Sequence, residues 1–137
     1  MSDRHFAFWP ADVPRTLTLP EGSLWLNLER SAQRSPDKPC TVFYDNVLSY
    51  AELKRDAERL AGYLQRKCGI KRGDRVALYM QNCPQFVIGF YAVLRADAVV
   101  VPINPMNMTA ELAYMLQDSG ATVVLAGQER LEQVRPL

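Results

Sequence analysis

The sequence predicts an α/β protein with a layered βαβ sheet and a short hairpin near its start. The prediction depends mainly on residues 73–105, where a β-forming run, a helix-spaced run and a Val-rich run follow one another. A strand, a helix and a strand within about thirty residues are typical of a right-handed crossover, which makes the two strands parallel. Another helical pattern and another apolar run follow, so helices and strands continue to alternate.

Residues 1–22 are predicted to form an extended N-terminal arm, and residues 23–137 a partial α/β subdomain. Three prolines and Gly22 interrupt the arm, and its large aromatic residues lie near charged ones: Phe6, Phe8 and Trp9. Frequent turn-forming residues disfavour a packed helix or strand, so we expect the arm to lie extended on another surface.

Two short elements are predicted before the longest helix. The first helix is predicted to begin after Ser23, a candidate N-cap, and to end before Pro36. Its apolar residues recur at four-residue spacing, with Trp25 beside them: Leu24, Leu28 and Ala32. Residues 40–44 and 47–48 then flank Asp45-Asn46. Two residues that tolerate positive φ between apolar runs predict a tight hairpin.

The clearest single helix is predicted over residues 49–68. Ser49 and Glu52 have the spacing of a capping box, and Gly69 suits the left-handed C-terminal position. One apolar stripe runs along this helix: Tyr50, Leu53, Ala57, Leu60, Ala61 and Leu64.

The crossover is predicted in three parts. Residues 75–80 form a strand with Val76, Leu78 and Met80 on one face. Pro84 suits the first position of the helix, and the expected core residues are at helical spacing: Phe86, Val87, Phe90, Val93 and Leu94. Residues 98–103 read as a strand that is buried on both faces.

The last predicted elements are a helix capped by Thr109 and ended by Gly120, a strand over residues 121–126, and the start of a helix over residues 129–134. The inner face of the capped helix is expected to carry Leu112, Met115 and Leu116. The final strand is expected to have an unpaired edge, which favours oligomers or aggregation.

Composition excludes several classes of function. The formal charge of +1, from 16 basic and 15 acidic residues, gives no electrostatic argument for nucleic acid. Three cysteines without CxxC and a single histidine oppose a zinc site or a disulfide framework, and reduced thiols favour a cytoplasmic protein. No apolar run is long enough to span a bilayer, and no signal peptide is visible.

No motif for phosphate binding or nucleophilic catalysis is present, because neither GxGxxG, GxxxxGK[ST] nor GxSxG occurs. We therefore predict no catalytic, cofactor-binding or metal-binding residue. His5 is interpreted as an exposed bystander and Cys83 as structural. One basic group is interpreted as a solvated loop, with an anion patch as the alternative: Arg66, Lys67, Lys71, Arg72 and Arg75. One aromatic group is interpreted as core, with a fatty pocket as the alternative: Phe86, Phe90 and Tyr91.

The chain resembles the N-terminal part of adenylate-forming acyl-CoA synthetases, especially bacterial long-chain fatty-acid–CoA ligases. The resemblance runs from about Leu24 to Ala126. Five segments carry it, in the family's order: LSYAEL at 48–53, GDRVA at 73–77, NCPQF at 82–86, LRADAVVVPINP at 94–105 and LQDSGA at 116–121. The family usually has glycine where this chain has Asp97. If this position needs a positive φ, aspartate tolerates it less well than glycine.

The resemblance implies an enzyme that uses ATP, magnesium and CoA to convert a carboxylic acid to its acyl-CoA by way of an acyl-adenylate. The family's ATP loop, its magnesium-positioning acids and its C-terminal lysine domain would all lie beyond Leu137. We therefore expect a scaffold fragment that is inactive alone, whose partners are the rest of the large domain or a second subunit. A cytoplasmic location, possibly peripheral to a membrane through the parent enzyme, is also implied.

Two other hypotheses stay open. The chain would be a non-catalytic assembly or dimerisation module if the aromatic arm packs on a partner. An independent flavodoxin-like domain would need a phosphate-binding loop after its first strand, and none is visible.

Overall fold

The computed structural model describes residues 3–137, so Met1 and Ser2 of the predicted arm lie outside the described residues. Five helices and five strands follow in the predicted order of helix, hairpin, helix and alternating strands and helices. Their bounds are α1 Trp25–Arg34, β1 Pro39–Phe43, β2 Asn46–Ser49, α2 Tyr50–Arg66, β3 Arg75–Tyr79, α3 Pro84–Arg95, β4 Val99–Ile103, α4 Thr109–Ser119, β5 Val123–Ala126 and α5 Leu131–Val134. Short 3-10 helices span Arg4–Phe8 and Gln128–Arg130.

The main sheet has three parallel strands in the order β4-β3-β5, which confirms the predicted parallel crossover. Arg75 pairs with Val99, and Val76 pairs with Val123. β3 is central and is buried from Val76 to Tyr79. The prediction that β4 is buried on both faces is wrong for the described chain, because β4 is an edge strand and Val99 is 47% exposed.

Helices cover the two faces of the sheet separately. Helices α1, α2 and α3 pack on one face, against the side of β3 that carries Val76. Helix α4 packs on the other face through Leu112, where it meets Ala77 and Tyr79, and Val134 of α5 joins it. The alternation along β3 explains why two separate cores form, since successive side chains of a strand point to opposite faces.

Helix α2 begins with the predicted capping box. The Ser49 N–H donates to Glu52 Oε2 over 2.9 Å, and the Glu52 N–H donates to Ser49 Oγ over 3.3 Å. Four residues of the predicted stripe are buried: Leu53, Ala57, Ala61 and Leu64. Gly69 has a φ of 70°, as predicted for the residue that ends the helical region.

Helix α3 begins at Pro84 as predicted, but its buried face is made of small residues: Gly89, Ala92 and Val93. Of the predicted core residues, Val93 is buried and Val87 packs against the core. The prediction is wrong for Phe86 and Phe90, whose rings are only half-buried. A Cβ at Gly89 would lie 3.1 Å from Leu78 Cδ2, so the missing side chain lets α3 approach β3 closely.

The elements before α2 differ from the prediction in detail. Leu24 is 54% exposed and Trp25 is buried instead, so the core stripe of α1 is Trp25, Leu28 and Ala32. The hairpin turn is Tyr44-Asp45, one residue earlier than predicted, because Phe43 pairs with Asn46. Tyr44 takes the left-handed conformation, with a φ of 51°.

The arm is not wholly extended, because Arg4–Phe8 forms a 3-10 helix. Trp9 Nε1 donates to the Val13 carbonyl over 2.9 Å, and the Arg15 guanidinium lies 5.1 Å from the centre of the Phe6 ring. Most arm side chains are nevertheless exposed. The division at residues 22 and 23 stays a prediction.

Helix α4 is capped by Met108 and not by Thr109, which is the first helical residue. Leu112 is buried, whereas Met115 is 37% exposed and is therefore not a core residue. Gly120 ends the helix with a φ of 66°, as predicted. A bilayer-spanning helix is absent from the part of the chain that the structure describes.

Candidate functional site

The carboxyl ends of the parallel strands are the first place to look for a ligand site, since open α/β sheets bind ligands there. The Tyr79 hydroxyl donates to the Asn107 carbonyl over 2.5 Å, and Asn107 Nδ2 donates to Met115 Sδ over 3.1 Å. The two residues after each strand carry no ionisable side chain: Met80, Gln81, Asn104, Pro105, Gly127 and Gln128. The residues that directly follow the strands are organised by internal hydrogen bonds and supply no acid or base themselves.

A cavity of about 280 Å³ lies between the hairpin and the start of α3. Its lining is mostly apolar: Thr41, Val42, Phe43, Asn82, Cys83, Pro84, Phe86 and Val87. Thr41 Oγ1 is buried without a hydrogen-bond partner, and Cys83 is the N-cap of α3 without a side-chain capping bond. No carboxylate or imidazole lines the cavity, so the thiol has no base beside it there.

Cys40 lies beside two tyrosine hydroxyls, a grouping that sequence reasoning missed. Burial raises the pKa of the Cys40 thiol above its ordinary value of 9.0, and a hydrogen bond with Tyr50 partly offsets the shift. Burial also raises the pKa of the Tyr91 hydroxyl, with smaller contributions from Cys40 and Tyr50. A thiol that stays protonated at neutral pH is a poor nucleophile. Tyr50 and Tyr91 lie 10 and 51 positions after Cys40, and no local pattern links the three residues.

The basic residues that the sequence singled out lie near the amino ends of the strands. Arg75 Nε donates to the Ser119 carbonyl over 2.8 Å, at the C-terminal end of α4. The Lys71 N–H donates to Asp74 Oδ2 over 2.7 Å, which places a carboxylate inside the group. Arg75 therefore satisfies an unpaired helix carbonyl, the role that a cation takes at this end of a helix. This geometry favours the structural interpretation over a phosphate site.

The remaining candidates do not form a catalytic group. His5 is exposed in the Arg4–Phe8 helix, with its ring 4.1 Å from that of Phe6. Three aspartates are exposed and lie far apart in the sequence: Asp12, Asp37 and Asp45. Within residues 3–137, no three His, Cys, Asp or Glu side chains come together in a way that suits a metal ion.

Asp97 has a φ of 57°, so the condition attached to the departure at this position is met. Its carbonyl accepts a 2.9 Å hydrogen bond from the Gly73 N–H. The side chain is exposed. Asp97 therefore shapes the turn before β4 through its backbone and has no partner that would indicate chemistry.

Comparison with known proteins gives a consistent result. The sequence model of a family described as AMP-binding enzyme matches residues 28–137. A long-chain-fatty-acid–CoA ligase of Bacillus subtilis is 42% identical over 119 residues, which are 87% of this chain and 21% of that protein. Surfactin synthase subunit 3 of the same organism is 38% identical over 109 residues, which are 80% of this chain and 8% of that protein.

A solved structure described as a fatty acyl CoA synthetase of Mycobacterium tuberculosis superimposes with a TM-score of 0.77 at 34% identity. The match covers 83% of this chain and 23% of that one. The chain thus spans about a fifth of the length of the ligase relative.

Proposed function

The chain belongs to the AMP-binding enzyme family, and we propose that it is the N-terminal scaffold of an ATP-dependent acyl-CoA synthetase that activates a fatty acid. The observation that carries the proposal is the 42% identity to a long-chain-fatty-acid–CoA ligase over 87% of this chain. The fold supports it, because the fatty acyl CoA synthetase neighbour has the same arrangement at a TM-score of 0.77.

The proposed reaction joins a carboxylic acid to CoA in two steps. The carboxylate attacks ATP to give an acyl-adenylate and pyrophosphate, and the CoA thiol then displaces AMP to give the thioester. Among residues 3–137, no three His, Cys, Asp or Glu side chains come together as metal ligands, and the sequence has neither GxGxxG nor GxxxxGK[ST]. In this proposal ATP, magnesium and CoA bind to other parts of the parent enzyme, and no step is assigned to a residue of this chain.

In this proposal the residues of the chain have a structural role. The capping box fixes the start of α2, and the Gly73–Asp97 bond holds the turns that lead into β3 and β4. The tight contact of Gly89 with Leu78 sets the distance between α3 and the sheet. Together these features hold a rigid layer on which the catalytic parts of a larger enzyme can be built.

The proposal is tested with the purified chain and with a truncated relative. The chain alone should give neither ATP–pyrophosphate exchange nor acyl-CoA. When it is mixed with the Bacillus subtilis ligase lacking its matched 119 residues, thioester formation from a long-chain acid should be restored. Tyr44→Ser, at an exposed turn position, serves as the variant that should complement as well as the native chain. Catalysis by the chain alone would refute the scaffold role.

A second candidate function is an assembly module that uses the arm. Phe8 is 89% exposed, and Leu17 and Leu19 are also largely exposed. These apolar side chains suit contact with a second subunit or with the rest of a split enzyme. Deletion of residues 1–20 followed by light scattering tests the idea, because an oligomer of unaltered mass would remove the arm from the contact.

We also propose a cytoplasmic location for the protein, with any contact to a membrane made through the parent enzyme. Cys40, Cys68 and Cys83 are all free thiols, which suits a reducing compartment. Fractionation of cells that express a tagged chain tests this directly.

A further inference from the structure

The β1–β2 hairpin, residues 39–49, makes little buried contact with the rest of the chain. None of its residues is buried, and four are half-buried: Cys40, Thr41, Leu48 and Ser49. A cavity of about 280 Å³ separates its outer half from the start of α3. Segments with few buried contacts open at a lower cost in free energy than the whole domain unfolds. The hairpin therefore has the features of a segment that opens by itself.

Three local features oppose the closed position of the hairpin. Tyr44 has a φ of 51° at the turn, a conformation that strains a residue with a side chain. The pairing of β1 with β2 shifts register between Pro39 and Thr41. Thr41 Oγ1 is buried and has no hydrogen-bond partner among residues 3–137. Closing takes this hydroxyl out of water without replacing its hydrogen bond, whereas opening returns it to water.

The base of the hairpin is held firmly, which sets the place where it bends. The Tyr50 N–H donates to the Lys38 carbonyl over 3.1 Å. The capping box then fixes Ser49 to the start of α2. Of residues 39–49, Cys40 is the one whose side chain packs against the main core. Cys40 is therefore the anchor of the hairpin, and Ser49 marks its hinge.

We propose that the hairpin is a flap that opens and closes on the body of the chain while both cores stay folded. In the closed state the anchor Cys40 packs against the main core, and in the open state the Thr41 hydroxyl is in water. Opening also uncovers the wall of the cavity that α3 supplies, at Phe86 and Val87. The flap adds one moving element to a chain whose other layers form a rigid scaffold.

The parts that carry this motion are all present in the described chain. The hinge, the anchor and the unsatisfied hydroxyl lie in the hairpin, and the facing wall lies at the start of α3. The motion therefore requires neither a second copy nor any other part of a larger enzyme. Hinged segments of this kind move on the microsecond to millisecond timescale.

Relaxation-dispersion NMR of the isotope-labelled 137-residue chain measures this motion, since it detects exchange on that timescale. Residues 39–49 and the facing residues Phe86 and Val87 should show dispersion with one common exchange rate. The central strand β3 should show none, because it is buried from Val76 to Tyr79 and stays folded when the flap opens.

Two substitutions should shift the open population in opposite directions. Thr41→Val removes the unsatisfied hydroxyl at nearly unchanged volume, so it should lower the open population about tenfold. Tyr50→Phe removes the hydroxyl that hydrogen-bonds to Cys40, so it should raise the open population about threefold. The matched controls are Thr122→Val and Tyr63→Phe, at exposed positions outside the hairpin, and both should leave the population unchanged.

Circular dichroism of each variant checks that it is folded, and Tyr50→Phe decides the matter if Thr41→Val does not fold. Three results would overturn the proposal: flat dispersion profiles across residues 39–49, equal dispersion in β3, or folded hairpin variants whose open populations match that of the native chain. A shift in Thr122→Val as large as that in Thr41→Val would also overturn it, because the effect would then reflect general stability.

Discussion

The backbone N–H of Gly73 donates to the carbonyl oxygen of Asp97 over 2.9 Å, and both residues have left-handed backbone angles, with φ of 84° and 57°. The bond joins the turn before β3 to the turn before β4. Next to it, the Val99 N–H donates to the Asp74 carbonyl over 2.8 Å. These two bonds set the register in which Arg75 pairs with Val99.

Replacement of Asp97 by glycine should stabilise the chain. Asp97 pays a steric penalty at a φ of 57° that glycine does not, and its side chain is exposed. We expect Asp97→Gly to raise the free energy of unfolding by up to about 1 kcal/mol, and Asp97→Val to lower it. Urea denaturation midpoints measure both changes. An unchanged or lowered midpoint for the glycine variant would count against strain at this turn.

A side chain at Gly120 should be strained by the positive φ there and should displace the end of the Arg75 side chain. A Cβ at Gly120 would lie 2.7 Å from Arg75 Nη2, and its φ is 66°. We expect Gly120→Ala to destabilise the chain by about 1 kcal/mol or more, and Arg75→Ala to do so by about 1 kcal/mol through loss of the bond to Ser119. Because the clash disappears without Arg75, the double variant should be less destabilised than the sum. Strict additivity in a double-mutant cycle would argue against the contact.

The capping box predicts a loss of stability in acid. The Ser49 N–H, followed by the Ser49 side chain, holds the pKa of the Glu52 carboxyl below its ordinary value of 4.5. The folded state therefore favours the carboxylate, and its contribution is present above pH 4.5 and is lost as pH falls through the lower folded pKa. Glu52→Gln should flatten this part of the stability profile, and Ser49→Ala should cost about 1 kcal/mol at neutral pH. Thermal unfolding measured at a series of acid pH values provides the test. If the stability of Glu52→Gln depends on pH as that of the native chain does, the prediction is contradicted.

The Cys40 and Tyr91 pair predicts a loss of stability in base. Burial raises the pKa of both groups above their ordinary values of 9.0 and 10.0, so the unfolded chain releases these protons first. Their contribution is complete below pH 9.0 and declines as pH rises through the folded pKa values. Cys40→Ala and Tyr91→Phe should each reduce the decline. The decrease of the urea midpoint between about pH 8 and about pH 10 measures this loss of stability. If both variants lose as much as the native chain, the two groups are excluded as its source.

Local chemistry explains what the sequence could predict. The Ser49 and Glu52 box, Pro84 at the start of α3, and Gly120 at the end of α4 each involve residues within one helical turn. Such features act wherever the chain folds, so a single sequence reveals them. A positive φ at Asp97 could be considered from the sequence, because the family that the chain resembles has glycine at this position.

The missed features depend on contacts between distant residues. A Val-rich run predicts a strand, but whether its faces are covered depends on neighbours, and β4 lies at an edge. In α3 the aromatic residues have the right spacing for a core, yet close approach to Leu78 selects the face with Gly89. The Tyr79–Asn107 bond joins residues 28 positions apart and leaves no local signal.

The central claim is that this chain is a scaffold without a nucleotide site of its own. Calorimetric titration of the purified chain with magnesium–ATP tests it most directly. We expect no saturable heat up to millimolar nucleotide. Stoichiometric binding of ATP to the isolated 137-residue chain would contradict the account.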